Sequence, residues 1–371
     1  MWQTEVDQPH LDRALELAER GRLTCEPNPM VGCVLTSGGQ VVGEGFHEAA
    51  GLPHAEVQAL RVAGEAARGG TAYVTLEPCS HFGRTPPCVG ALLQAGITRV
   101  VVGLDDPSPQ ICGEGVRQLR QAGVEVDRAP RAFQERCARQ NCRFLHRIRR
   151  GGPFVTMKFA MTLDGKIATS TGHSRWISSP ASRARAQFER ATHRAILVGV
   201  GTVLADDPRL DCRMEGGRNP VPVVLDSTLR TPVDSRLLRG GRTLVACNEE
   251  ADSERAGLLE QAGAEILRLP GRGRIDLTAL LEILATRGLD SVLLEGGGRV
   301  HASALASGVV HRVLGFVAPL MVGGSQAPTP VEGPGVARLD QAWQVHHLAW
   351  EGLGPDLVCE GFLWDWSDLL R

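Results

Sequence analysis

The sequence predicts a two-domain α/β protein, and three observations carry that prediction. The chain has 371 residues, more than a single hydrophobic core usually serves. Helix-period and strand-period segments alternate through both halves. Gly151-Gly152-Pro153 punctuates the chain between them, which places one domain at 1–150 and the other at 151–371.

The elements follow in order. Leu11, Ala14, Leu15 and Ala18 recur at helical spacing, and Gly21 ends that helix. Strands over Val31 to Leu35 and Gln40 to Gly45 flank Ser37-Gly38-Gly39, a hairpin signal. His54 opens a helix to about Ala67, stopped by Gly69-Gly70. Thr71 to Leu76 reads as a strand, with Cys79 beyond it beginning a helical turn. Cys88 to Gln94 reads as a helix and Thr98 to Gly103 as a strand. Gly115 to Ala122 and Val124 to Val126 repeat helix then strand. Arg131 to Arg150 is expected as one basic helix, a solvated bridge rather than a nucleic-acid patch.

The second half opens with a strand, Phe154 to Phe159. A helix from Ser179-Pro180 to about Ala191 and a strand from Ala195 to Gly199 come next. Val221 to Leu225, Thr243 to Cys247, Ser291 to Leu294 and Val313 to Val317 are expected strands. Leu277 to Ala285 and His301 to Ala306 are expected helices. A second α/β sheet accounts for them, with no solenoid period.

Composition narrows the function. A formal net charge of −2 gives no general attraction to polyanions. Six Trp, nine Phe and a single Tyr form no stacking series for single-stranded nucleic acid. The expected substrate is therefore small. No run of about 18 apolar residues is present to span a membrane. The ten cysteines are scattered, and no basic-then-apolar segment opens the sequence, so reduced thiols and a cytoplasmic setting are expected.

His54-Ala55-Glu56, Pro78-Cys79 and Cys88 form the most informative constellation. One imidazole and two thiolates leave the fourth tetrahedral position of a zinc ion open to water, whose pKa the metal lowers to about 7. Glu56, two residues past His54, is placed to move protons rather than to ligate, as in the zinc nucleobase deaminases. A closed structural site would need a fourth ligand and no adjacent Glu. Eight residues separate the cysteines where the short form of the signature has two, and this polar insert reads as a wall of the metal pocket.

The second half carries a different set. Leu294-Glu295-Gly296-Gly297-Gly298 follows a strand and opens a helix, a geometry that suits phosphate. Glycines also occur in such turns for steric reasons alone. Thr162-Leu163-Asp164-Gly165-Lys166 reads as a strand followed by a tight turn. Asp206-Asp207-Pro208 follows a buried strand, and Asp207 is equally explained as a turn residue. Ser174-Arg175-Trp176 offers a hydroxyl, a cation and a flat ring, although Trp176 is as readily core packing. Arg190 and Arg213 are candidate phosphate ligands or plain surface arginines.

Taken together, these motifs resemble the bifunctional deaminase–reductase family of riboflavin biosynthesis, from about Leu11 to Cys359. Pro27-Asn28-Pro29-Met30-Val31-Gly32, His54-Ala55-Glu56 and the run Leu76 to Cys88 resemble its deaminase half. The long loop between the cysteines is particular to this branch of the zinc deaminases. Leu163-Asp164-Gly165-Lys166, Trp176-Ile177-Ser178-Ser179-Pro180, Ala205-Asp206-Asp207-Pro208 and Glu295-Gly296-Gly297 resemble its reductase half.

The resemblance implies a cytidine-deaminase-like three-layer domain followed by a dihydrofolate-reductase-like domain. It implies hydrolytic deamination of diaminohydroxyphosphoribosylaminopyrimidine. NADPH then reduces the ribose of 5-amino-6-(5-phosphoribosylamino)uracil to a ribityl chain. By the same resemblance His54, Cys79 and Cys88 bind zinc and Glu56 is the catalytic proton shuttle. Asn28, His47, Arg84 and Asp106 match positions lining the deaminase pocket. Ala160, Trp176, Thr202, Asp206, Ser227 and the run Gly297, Gly298, Arg299, Val300, His301, Ala302 and Ser303 fall where NADPH binds. Ser174, Arg190, Leu210, Arg213 and Glu295 fall where the substrate binds, with Lys158 near the sugar. Preference for NADPH over NADH rests on the resemblance alone. A homo-oligomer joined through the reductase domain is also expected.

Two rivals make different demands. A nucleic-acid base deaminase with a silent second half needs a basic groove and stacking aromatics near the metal. A zinc-stabilised binding protein predicts loss of Glu56 or of a ligand, and neither is lost.

Overall fold

Gly38 and Gly39 take φ of 57° and 78°, the left-handed conformation a tight hairpin requires, and they set the first two strands antiparallel. The structure is a computed structural model that describes residues 3–82, 86–108 and 112–366. Contacts divide the chain into two units at Gly151/Gly152, with Trp366 counted in the first.

In the first unit the helices are α1 (Thr4–Glu19), α2 (Ala55–Ala63), α3 (Cys88–Gln94), α4 (Glu114–Gln121), α5 (Arg131–Gln140) and α6 (Cys142–Arg149). The strands are β1 (Gly32–Ser37), β2 (Gln40–Phe46), β3 (Thr71–Val74), β4 (Arg99–Val102) and β5 (Glu125–Arg128). They form one sheet in the order β2-β1-β3-β4-β5. β1 runs antiparallel to β2 and β3, and β3, β4 and β5 are parallel.

Glycines set the layers. A Cβ on Gly32 would lie 1.8 Å from the Ala14 carbonyl oxygen of α1. A Cβ on Gly45 would lie 2.4 Å from the Ala55 carbonyl oxygen of α2. Gly45 pairs with Cys33, the neighbour of Gly32, so the two glycines face opposite sides of the sheet. The sheet is therefore sandwiched between α1 and α2. Only residues without a side chain let α2 lie this close to β2, and that contact fixes where His54 begins the helix.

Two expectations are corrected in this unit. The basic segment is not one helix: it breaks at Asn141, whose side chain accepts from the Met30 amide (2.8 Å) and donates to the Met30 carbonyl (2.9 Å). Nor is it a solvated bridge. Phe133, Cys137, Ala138, Cys142 and Leu145 are buried, while Arg143 pairs with Glu26 at 3.1 Å. Cys79, expected to begin a helical turn, lies in irregular backbone.

The second unit begins with β6 (Phe154–Thr162), α7 (Pro180–Thr192), β7 (Ala195–Gly199), α8 (Val200–Asp206), β8 (Val221–Leu225) and β9 (Thr243–Asn248). It continues with α9 (Ser253–Gln261), β10 (Ala264–Leu269), α10 (Leu277–Thr286), β11 (Ser291–Leu294), α11 (Gly298–Ala306), β12 (Arg312–Ala318), β13 (His346–Leu353) and β14 (Asp356–Phe362). Its sheet has the order β10-β9-β8-β7-β11-β6-β12-β14-β13. The run from β10 to β12 is parallel; β14 and β13 add an antiparallel hairpin at one edge. Apolar residues on both faces of the central strands, such as Leu197 and Val198, are buried, as a doubly covered parallel sheet demands. No helix among the described residues is long and apolar enough to cross a membrane.

Candidate active sites

In the first unit, three element ends converge. His54 is the N-cap of α2, Cys88 is the first residue of α3, and Cys79 lies in the segment that leaves β3. His54 Nδ1 stands 3.4 Å from Cys79 Sγ and 3.3 Å from Cys88 Sγ. The Cys88 amide, at the start of its helix and so without an acceptor inside it, donates to Cys79 Sγ at 3.3 Å.

This donor set fits zinc. Tetrahedral bonds of about 2.0 Å to nitrogen and about 2.3 Å to sulfur space such atoms by roughly 3.5 Å. Among the described residues, His54, Cys79 and Cys88 are the one group of His, Cys, Asp or Glu side chains gathered closely enough to hold a metal ion. Cys88 shares a proton with Cys79, which pulls the Cys79 thiol down, against its burial and with help from His54. The same shared proton, together with burial, pushes Cys88 up. A divalent cation in that proton's place would hold both sulfurs as thiolates.

Glu56 is the second residue of α2 and is 3% exposed. Burial lifts its carboxyl to about 7, with the Cys79 charge adding and His54 opposing. A cavity of about 410 Å³ opens beside it, lined in part by Asn28, His47, His54, Cys79 and Asp106. Asn28 Nδ2 donates to His47 Nε2 at 2.9 Å, and His47 Nδ1 in turn donates to the Pro53 carbonyl at 3.3 Å. Arg84 lies outside the described residues.

Two neighbours of this site were absent from the expected set. Glu77 is buried, and its carboxylate accepts from the amides of Asp106 (3.2 Å), Gly113 (2.9 Å) and Val116 (3.2 Å). It thereby holds the segment that carries Asp106. A carboxylate just ahead of Pro78-Cys79 was the available signal, but nothing in its spacing discloses three distant amides. Phe144, from α6, also lines the cavity.

The second unit gathers its candidates along the carboxyl ends of parallel strands, where open α/β sheets bind ligands. Ala160 lies near the end of β6, Thr202 and Asp206 on α8 after β7, and Ser227 just past β8. Gly297 caps α11 after β11, and a Cβ placed on it would be 4.0 Å from Thr202 Oγ1. Within the run Gly297 to Ser303, side chains diverge. Arg299 is exposed, Ala302 and Ser303 are half-buried, and Val300 packs beneath Gly199 and Gly296. His301 is buried and donates from Nδ1 to the Pro330 carbonyl at 2.8 Å.

Trp176 is 65% exposed, so it is not core packing. Arg183 stacks over its ring at 4.6 Å. Arg190 differs from a free phosphate ligand: Nε and Nη2 each donate to Glu295 at 2.9 Å, and Nη1 to the Asp211 carbonyl at 3.0 Å. Lys158 Nζ stands 3.7 Å from the same Glu295. Leu210 is buried at φ 55°, Ser174 is half-buried in a loop, and Arg213 extends into solvent with Nε 4.0 Å from Asp211.

Comparisons with known proteins agree with this geometry. Residues 4–104 match the model of the cytidine and deoxycytidylate deaminase zinc-binding region. Residues 153–359 match that of the RibD C-terminal domain. The riboflavin biosynthesis protein RibD of Actinobacillus pleuropneumoniae is 44% identical, over 97% of this chain and 96% of its own length. The chain belongs to the RibD family.

The RibD of Escherichia coli is 40% identical, over 95% of this chain and 98% of its own length. The solved structure of Acinetobacter baumannii RibD superposes with a TM-score of 0.80 at 36% identity, covering 97% of this chain and 99% of that one. A deaminase/reductase structure from Thermotoga maritima gives 0.78 at 33% identity, covering 96% and 99%. The chain is thus a bifunctional deaminase–reductase of riboflavin biosynthesis that acts on a small molecule, with zinc and NADPH as cofactors. Its fold is cytidine-deaminase-like in the first half and that of the RibD reductase domain in the second.

Proposed function

We propose that residues 1–150 deaminate diaminohydroxyphosphoribosylaminopyrimidine and that residues 151–371 then reduce the ribose of 5-amino-6-(5-phosphoribosylamino)uracil with NADPH. The observation that carries the first half is Glu56 standing beside a His-Cys-Cys donor set at one wall of a cavity.

His54, Cys79 and Cys88 hold the zinc. A bound zinc would supply Lewis acidity to the attacking water. Glu56 would take a proton from the attacking water and return one to the departing amine nitrogen. Its burial keeps bulk water from competing for that proton. Asn28, braced by His47, and Asp106, held through Glu77, orient the pyrimidine.

In the reductase half, NADPH supplies the hydride when bound. Gly297 and the first turn of α11 offer backbone amides to its phosphates. Ala160, Trp176, Thr202, Asp206 and Ser227 line its path along the strand ends. Glu295, Arg190 and Lys158 orient the sugar, with Ser174, Leu210 and Arg213 completing the pocket. Cys88→Ala tests the division. It should lose zinc and ammonia release yet still oxidise NADPH when given the deaminated substrate. Stoichiometric zinc in the purified variant would refute the ligand set.

We further propose a homo-oligomer joined through the second unit. β13 is the last strand of its sheet, and Leu348 and Trp350 on it are exposed. Light scattering that reads a monomer at every concentration rejects this. A cytoplasmic setting is supported by the ten cysteines, none of which is in a disulfide, and recovery from an oxidising compartment would contradict it.

A further inference from the structure

We infer that Asp164 is a positioning residue for the reduction: it pins a strap, residues 319–333, whose far end packs on the glycine cradle of α11. The inference rests on the reading that the first turn of α11 holds NADPH.

Asp164 sits in the turn that leaves β6. Its Oδ1 accepts from Thr162 Oγ1 at 2.5 Å and from the Val322 amide at 3.1 Å. Its Oδ2 accepts from the Gly323 amide at 2.6 Å. Two successive amides converging on one side chain call for a group that only accepts, which a carboxylate is and an amide is not. The Thr162 bond is an ordinary local turn. The bonds to Val322 and Gly323 are not local, since they cross from the end of β6 to the segment after β12.

Backbone contacts continue along the strap. Leu163 donates to the Leu320 carbonyl at 2.8 Å, Lys166 Nζ to the Ala327 carbonyl at 3.4 Å, and Ile167 to the Pro328 carbonyl at 3.0 Å. Farther on, the strap meets α11. The Pro330 carbonyl accepts from His301 Nδ1, and the Glu332 amide donates to the Gly298 carbonyl at 3.1 Å. A Cβ on Gly298 would lie 2.4 Å from the Thr329 carbonyl oxygen, so strap and cradle are in direct backbone contact. One carboxylate therefore anchors a segment that forms the outer support of the helix start. Releasing it loosens the support without touching the reacting atoms. The cost falls on cofactor binding and not on the hydride step.

The test uses the full-length holoenzyme and the variants Asp164→Asn and Asp164→Ala. NADP⁺ binding is read by calorimetry, alongside steady-state reduction and ammonia release. The Kd for NADP⁺ and the KM for NADPH should both rise about tenfold, the effect of losing one charged hydrogen bond. The kcat of reduction and the rate of deamination should stay within about twofold of wild type. A Kd that stays within about twofold of wild type, or a fall in kcat with Kd unchanged, overturns the inference. Asp164→Asn keeps the volume of the side chain and decides the matter if Asp164→Ala does not fold. Failure of the wild-type protein to bind NADP⁺ would instead reject the cradle reading itself.

Discussion

Arg190 and Glu295 meet edge to edge, with Nε and Nη2 each donating to a separate carboxylate oxygen at 2.9 Å. One comes from α7 and the other from the turn after β11, so the pair ties a helix to the end of the central sheet. Lys158 adds a second cation 3.7 Å from Glu295. Two cations about one carboxylate leave this corner positive, which suits an anionic sugar phosphate.

The pair also sets an acid limit. Burial alone would lift the Glu295 carboxyl, but Arg190 and Lys158 outweigh it and hold it at about 2. A carboxyl lowered by folding contributes stability above its usual value, near 4.5, and loses it as pH falls toward 2. The contribution at neutral pH is on the order of 3 kcal/mol. Thermal melts of wild type and Glu295→Gln between those pH values should converge as acid removes the advantage. Parallel curves would show that the pairing does not stabilise the fold.

Glu77 binds three amides and touches no proposed metal ligand through its carboxylate. Glu77→Gln exchanges one acceptor oxygen for a donor facing N–H groups, a loss of about 2 kcal/mol. Deamination should fall at least tenfold while zinc content, read by atomic emission, stays at wild type. Unchanged deamination would separate Asp106 from the reaction.

Arg213 is solvent-extended and only weakly engaged by Asp211, so its guanidinium is available to a ligand. Arg213→Ala should raise the KM for the pyrimidine ribose phosphate more than that for NADPH, in two-substrate kinetics. The reverse ordering would move Arg213 to the cofactor.

Much of this was legible because it depends on local chemistry. The hairpin at Gly38-Gly39 announced itself through residues that tolerate positive φ. His54, Cys79 and Cys88 stood out as candidate ligands because few residue types bind zinc, and the helix starts at His54 and Cys88 followed from local period. What escaped depends on long-range partners. Asn141 breaks a helix because it pairs with Met30, a residue 111 positions away. Glu77 reads as one acid among many until Gly113 and Val116 fold onto it. Arg190 looked available for phosphate because Glu295, its partner, is 105 residues distant. The hairpin of β13 and β14 was missed because both faces of β13 are largely exposed, which erases the alternation that marks a half-buried strand.

The most direct measurement is made on Glu56→Gln: bound zinc and ammonia release, determined on the same preparation. One zinc per chain with ammonia release abolished is the expected result, since the variant keeps His54, Cys79 and Cys88 but has no carboxylate to carry protons. Ammonia released at the wild-type rate from a zinc-loaded Glu56→Gln protein would contradict it.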